Sequence, residues 1–199
     1  MPDHSDHYYT ASPASAHELR TFGFDFGGKT LSFTTDAGVF SKGHVDPGTL
    51  LLAASLPAGL AGRVLDLGCG WGALSVLMLS RFPQLSLVMS DVNSRALGLA
   101  GQNVRANGMQ AEAVLSDGLE RVEGQFDAVV TNPPIRAGKQ VIYKMFADSR
   151  ARLKEGGRLF LVIRKQQGAP SALKYLRTLF SSAEVIARDA GYWIIECVA

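Results

Sequence analysis

The stretch VLDLGCGWG at residues 64–72 dictates how the chain around it must fold. Val64, Leu65 and Leu67 form a short apolar strand that runs straight into glycines at alternate positions, Gly68, Gly70 and Gly72. Without a Cβ, glycine lets the backbone turn sharply and come close to a ligand. The segment Ala73-Leu74-Ser75-Val76-Leu77-Met78-Leu79 follows at once and predicts a helix whose first amides point back over the loop. Strand, glycine loop and helix make the first half of a nucleotide-binding βαβ unit. A turn serving packing alone is a poor account of three alternating glycines in that place.

Two ligand readings compete for this loop. Gly68-x-Gly70-x-x-Ala73 fits a dinucleotide fingerprint, and Asp91 follows at about the 20-residue spacing of a ribose-binding acid. The same residues also read Asp66-x-Gly68-x-Gly70-x-Gly72, with a carboxylate inside the turn. That pattern resembles motif I of the class I S-adenosylmethionine-dependent methyltransferases. An acid suits a ligand carrying an ammonium and a cationic sulfur, and it repels a pyrophosphate.

Composition narrows the setting. A chain of 199 residues, 47% hydrophobic and 19% charged, is expected to be one globular domain with a sizeable core. No run approaches the roughly 18 apolar residues needed to span a bilayer, and the first residues, MPDHSDHYYT, lack the basic start and apolar centre of a signal peptide. Cys69 and Cys197 have no metal-ligand spacing, which argues against a zinc site or a disulfide framework and for the cytoplasm. Net charge is only +2, so no field of the whole protein announces a nucleic-acid partner. The basic residues Arg136, Lys139, Lys144, Arg150, Arg152 and Lys154 nevertheless cluster, with Asp148 the one acid among them. They read as a solvated helix face or as an RNA-facing patch.

Residues 1–20 read as a flexible arm, and 21–199 as a single domain with a hairpin and loop extension over 21–45 and a Rossmann-like core over 46–199. Phe22, Phe24 and Phe26 alternate up to Gly27-Gly28, and Leu31 and Phe33 alternate after it, a β-hairpin signal. Asp46-Pro47 supplies an N-cap and a first-turn proline for a helix through Leu56. Strands are then expected over 85–90, 112–115, 126–130 and 158–163, alternating with helices over 94–107, 141–153 and about 170–180. Gly156-Gly157 is expected to stop the third of the helices that follow the glycine loop. The last two runs, 183–188 and 192–198, are joined by Asp189-Ala190-Gly191 and must pair antiparallel, because a parallel crossover needs a dozen residues. The fold class is therefore α/β, a mostly parallel seven-stranded sheet closed by an antiparallel hairpin, as in the class I methyltransferases.

Ligands in such sheets lie across the C-terminal strand ends. Those ends carry the glycine loop, then Asp91-Val92-Asn93, Ser116-Asp117-Gly118 and Asn132-Pro133-Pro134-Ile135. Taken singly, Asp91 and Asp117 read as helix caps or turn residues; taken jointly with Asp66 they fit one adenosine. Asp91 is expected at the ribose hydroxyls, Asp117 at the adenine amino group, and Asn93 and Gly118 beside them. The prolines hold the chain extended, so the Asn132 amide oxygen and the Pro133 carbonyl can accept the two hydrogens of a planar exocyclic amine.

The Asn-Pro-Pro tetrad resembles that of amino-group methyltransferases acting on DNA adenine, rRNA guanine N2 and protein glutamine, whose fourth residue is usually aromatic. Here it is Ile135, and Phe40 or Tyr143 are candidates to stack on a base in its place. Together with Gly38-Val39-Phe40-Ser41, Asp46-Pro47-Gly48-Thr49, residues 64–72, Asp91-Val92-Asn93, Asn132 through Lys139 and Lys165-Gln166-Gln167-Gly168, the tetrad is similar to the small-subunit rRNA guanine-N2 methyltransferase C family, and most of all to its short single-domain relatives. The resemblance implies S-adenosylmethionine as cofactor and ribosomal RNA as partner; with such a partner, Arg136, Lys139 and the basic helix after them are expected to hold phosphates. It also leaves two other outcomes open, methylation of a protein glutamine and a cofactor-binding RNA module without turnover.

Overall fold

The computed structural model describes residues 18–199 apart from 38, 40 and 42. All but the last three residues of the expected arm, and Phe40, lie outside the described residues.

Seven strands form one sheet in the order β5-β4-β3-β6-β7-β9-β8. They are β3 (Arg63–Leu67), β4 (Ser86–Asp91), β5 (Glu112–Leu115), β6 (Phe126–Thr131), β7 (Leu153–Arg164), β8 (Ser182–Asp189) and β9 (Tyr192–Val198). Pairing is parallel from β5 to β7, and β9 runs antiparallel to both β7 and β8. The strand that carries the glycine loop therefore sits between β4 and β6, which brings their C-terminal ends beside it.

Among the described residues five α-helices cover the sheet: α1 (Pro47–Ser55), α2 (Ala73–Arg81), α3 (Ser94–Ala106), α4 (Lys139–Arg152) and α5 (Ala169–Leu179). Strand periodicity decides which face each residue serves. On β3, Val64 joins the apolar cluster built with α1, α2 and α3, whereas Leu65 and Leu67 join the one built with α4 and α5. Asp66 falls on the α2 side, where a polar partner awaits it.

The hairpin of β1 (Arg20–Phe26) and β2 (Lys29–Thr35) forms a separate two-stranded sheet against α3. Its free edge is matched by side chains. Asn103 accepts from Thr34 N at 2.7 Å and donates to Thr34 O at 2.9 Å, and Asn107, one turn on, does the same for Ser32 at 2.9 and 2.8 Å. Two carboxamides thus stand in for a third strand. Phe33 and Trp71 meet edge-to-face at 5.3 Å, which joins the hairpin to the glycine loop.

One boundary differs from expectation. The helix over α4 begins two residues earlier and yields to an extended Leu153, while Gly156 and Gly157 lie within β7. Leu153 pairs with Phe126 but Arg158 with Ala128, so the glycines carry a bulge. At Gly157 a Cβ would lie 2.9 Å from Lys154 O. The pair serves a kinked strand rather than a helix end.

Candidate active site

A cleft of about 380 Å³ opens along the C-terminal ends of β3, β4, β5 and β6. The glycine loop forms its floor. Gly68 N and Cys69 N donate to Ser90 O at 2.8 and 2.9 Å, and Gly70 N donates to Asp91 Oδ2 at 2.8 Å. Gly70 has φ +55°, and a Cβ there would meet no protein atom within 4 Å, so the loop presents bare backbone to the cleft. Gly72 is different. At φ +86° its Cβ would lie 2.8 Å from Ala100 Cα, so this glycine lets α2 approach α3 and does not line the cleft.

Asp66 lines the cleft yet is only 1% exposed, and its Oδ2 accepts from Ser75 Oγ at 2.5 Å. Burial raises its pKa to about 7 against the opposing pull of that hydrogen bond, with the Asp91 charge adding to the rise. Burial also raises the pKa of Asp91, opposed by the amides of Asn93 and Gly70 that its carboxylate accepts. Each Asp91 oxygen takes one of these amides and keeps capacity for another donor. Asp117 and Gly118 line the cleft from the end of β5. The hydroxyl of Ser90 is buried at the same wall without a protein partner.

Asn132, Pro133 and Pro134 close the cleft from the end of β6. Asn132 Nδ2 donates to Thr49 Oγ1 at 2.9 Å and to Asp46 Oδ2 at 3.2 Å. Both partners belong to the start of α1, where Asp46 is the N-cap and accepts from Thr49 N at 3.0 Å.

Nine residues expected at the site from sequence do meet there: Asp66, Gly68, Gly70, Asp91, Asp117, Gly118, Asn132, Pro133 and Pro134. Others do not, for identifiable reasons. Asn93 is fully buried, its Oδ1 caps α3 by accepting from Ala96 N at 3.0 Å, and its backbone N–H donates to Asp91 Oδ1 at 2.8 Å, so its side chain does not line the cleft. Ile135 turns into the apolar cluster under α4 and α5. Tyr143 does not line the cleft; its ring is stacked on Tyr175 at 4.1 Å and 7°, with Lys139 Nζ 5.0 Å from its centroid. Arg136 and Lys139 are exposed beyond the cleft. Asp46, Thr49 and Ser41 also line the cleft; in the sequence they stood out as a helix start and as parts of the motifs shared with the methyltransferase family, without an assigned role at the site, and Ser90, Val141 and Met145 carried no signal of lining it.

The acids fit a cationic nucleoside. Three carboxylates and the orphaned Ser90 hydroxyl ring a cradle of bare glycine backbone, a set of acceptors suited to hydroxyls, an amino group and an ammonium, and hostile to pyrophosphate. The fold and this cleft define a class I S-adenosylmethionine-dependent methyltransferase, with S-adenosylmethionine as its cofactor. Within that class the profile of the methyltransferase small domain family matches residues 30–196, and the chain belongs to that family.

Relatives agree. The chain is 40% identical over 196 residues to the uncharacterized protein YbxB of Bacillus subtilis, covering 96% of this chain and 98% of that one. It is 38% identical over 160 residues to ribosomal RNA small subunit methyltransferase C of Shewanella loihica, covering 77% of this chain and 46% of the relative. Among solved structures, the T. thermophilus 16S rRNA N2 G1207 methyltransferase in complex with AdoMet and guanosine superposes with TM-score 0.82 at 29% identity, covering 94% of this chain and 52% of the other. The chain thus spans about half the length of the rRNA methyltransferases it matches.

Proposed function

We propose that this methyltransferase acts on an exocyclic amino group, guanine N2 of ribosomal RNA. The observation that carries the reading is the state of Asn132: its nitrogen is engaged by Thr49 and Asp46, so its oxygen stands on the opposite side of the carboxamide as a free-standing acceptor at the cleft. The likeness to enzymes described as rRNA guanine-N2 methyltransferases supports the choice of base.

Bound in the cleft, S-adenosylmethionine supplies a methyl group on a cationic sulfur. Asp91 accepts from the ribose hydroxyls, Asp117 from the adenine amino group, and Asp66 supplies negative potential beneath the methionine end. Asn132 Oδ1 and the Pro133 carbonyl accept the two amine hydrogens. A planar aryl amine is a poor nucleophile because its lone pair is delocalised into the ring. Two aimed acceptors favour its pyramidal form and stabilise the positive charge that develops on nitrogen, and positioning contributes much of the rest. A paired guanine has to be extruded, or met unpaired, before Asn132 can reach it. Arg136 and Lys139, exposed near that mouth, contact phosphates. Tyr143 is a poor stacking partner, because it lies outside the cleft with its ring stacked on Tyr175 and Lys139 Nζ over it.

Labelled cofactor incubated with small-subunit rRNA transcribed in vitro, or with a peptide release factor, tests the reading. N2-methylguanosine in the RNA digest is expected. Label confined to a glutamine of the release factor, or binding of both RNA and cofactor without transfer, overturns it.

A further inference from the structure

The geometry points to Asp46 and Thr49 as positioning residues that fix which way round the Asn132 carboxamide stands. This inference rests on the role proposed for Asn132. An asparagine amide is nearly symmetrical in shape but opposite in chemistry at its two ends, and half a turn about Cβ–Cγ exchanges acceptor for donors. Presented with its NH2 group, Asn132 would confront an amine that also donates, and the site would repel its substrate.

The clamp removes that choice. A carboxylate only accepts, so the group 3.2 Å from Asp46 Oδ2 has to be the Asn132 nitrogen. Thr49 Oγ1 lies within 3.5 Å of the same Asp46 oxygen, to which its single hydrogen is directed, and this leaves a hydroxyl lone pair for Asn132 Nδ2 at 2.9 Å. Turning the amide over would set its carbonyl oxygen against the carboxylate.

Asp46 and Thr49 are themselves held. As the N-cap of α1, Asp46 Oδ2 also accepts from Thr49 N. Between them Gly48 packs so closely on β9 that a Cβ would lie 2.6 Å from Tyr192 Cε1, and the Tyr192 hydroxyl accepts from Arg164 Nη2 at 2.6 Å. The helix start that precedes the first core strand therefore sets the orientation of a side chain more than 80 residues later in the chain, through contacts separated by 83 and 86 positions.

Three variants separate this role from a structural one. Thr49→Ala removes the hydroxyl, Thr49→Ser restores it, and Asp46→Ser keeps a competent helix cap while withdrawing the carboxylate. With in vitro transcribed small-subunit rRNA as acceptor, Thr49→Ala and Asp46→Ser are expected to lower kcat about 10-fold each, the equivalent of one hydrogen bond. KM for the cofactor stays unchanged, and Thr49→Ser recovers kcat. In an Asn132→Ala background neither variant costs anything further, because the group they orient is gone. If Asn132→Ala alone retains turnover, the proposed function fails; if it loses turnover while Thr49→Ala and Asp46→Ser keep the parental kcat, only the positioning role fails. A second measurement needs no substrate. Hydrogen exchange of the Asn132 side-chain amide, followed by 15N NMR, should accelerate about 10-fold in Thr49→Ala and return in Thr49→Ser, and unchanged exchange overturns the inference.

Discussion

Gly70 and Asp91 are latched together: the amide of the glycine donates to the carboxylate at 2.8 Å, tying the loop after β3 to the end of β4. Asp91 thus shapes the cradle in addition to the ribose contact proposed for it. A hydrogen bond to a charged group contributes about 1.5–3 kcal/mol, so Asp91→Ala should weaken cofactor binding roughly 10- to 150-fold. Calorimetric titration with S-adenosylhomocysteine measures this, and an unaltered affinity refutes the ribose assignment.

Asn132→Ala deletes an acceptor aimed at the developing charge. By analogy with loss of one oxyanion-hole donor, turnover should fall about 10²- to 10³-fold, while cofactor affinity stays near that of the parent. Single-turnover methyl transfer reads the first quantity and titration the second; full turnover in the variant removes Asn132 from the chemistry.

The two glycines of the loop should separate in their effects. Gly72→Ala forces a Cβ against Ala100 in left-handed backbone, at a cost of about 2–6 kcal/mol. Gly70→Ala projects into open space, so its stability loss is smaller, about 1–3 kcal/mol from the backbone alone, and its main effect is on cofactor binding. Urea denaturation together with cofactor titration distinguishes them; equal stability losses would contradict the packing role of Gly72.

Asp66 gives stability and binding opposite dependences on pH. Its pKa rises from 3.8 to about 7 on folding, chiefly because burial disfavours the carboxylate. Between about pH 4 and pH 7 the folded chain therefore holds more protons than the unfolded chain, and stability falls as pH rises through that window. Asp91, raised in the same direction, adds to the trend. A cationic ligand favours the carboxylate, so cofactor affinity should climb with pH towards 7 with release of a proton. Melting temperatures across the window, and binding enthalpies in buffers of different ionisation enthalpy, test both halves. Asp66→Asn should flatten both profiles.

Much of this architecture was written in local pattern. The apolar strands, the Gly-Gly hairpin, the Asp46 cap and the short link 189–191 each report on a few neighbouring residues, and the structure places them within a residue or two of expectation except at the start of β7, which begins at Leu153 and not at Arg158. The glycine pair at 156–157 misled because glycine breaks helices and kinks strands by the same freedom, and only the pairing of β7 with β6 chooses between them. Ile135 and Tyr143 misled for a related reason: an apolar or aromatic residue beside a motif reads the same whether it faces the cleft or the core.

The sequence by itself determined which residues end each strand, since period and punctuation are properties of the local backbone. It also determined the character of the cleft, because four strand ends bring their acids and carboxamide with them wherever the sheet forms. Only the tertiary structure decided partnership. Sheet order sets β3 between β4 and β6, and packing of α1 on β9 carries Asp46 and Thr49 to Asn132. Hydrogen bonds between side chains so distant in sequence leave no periodic trace, for they depend on the mutual placement of elements and not on the conformation of any one.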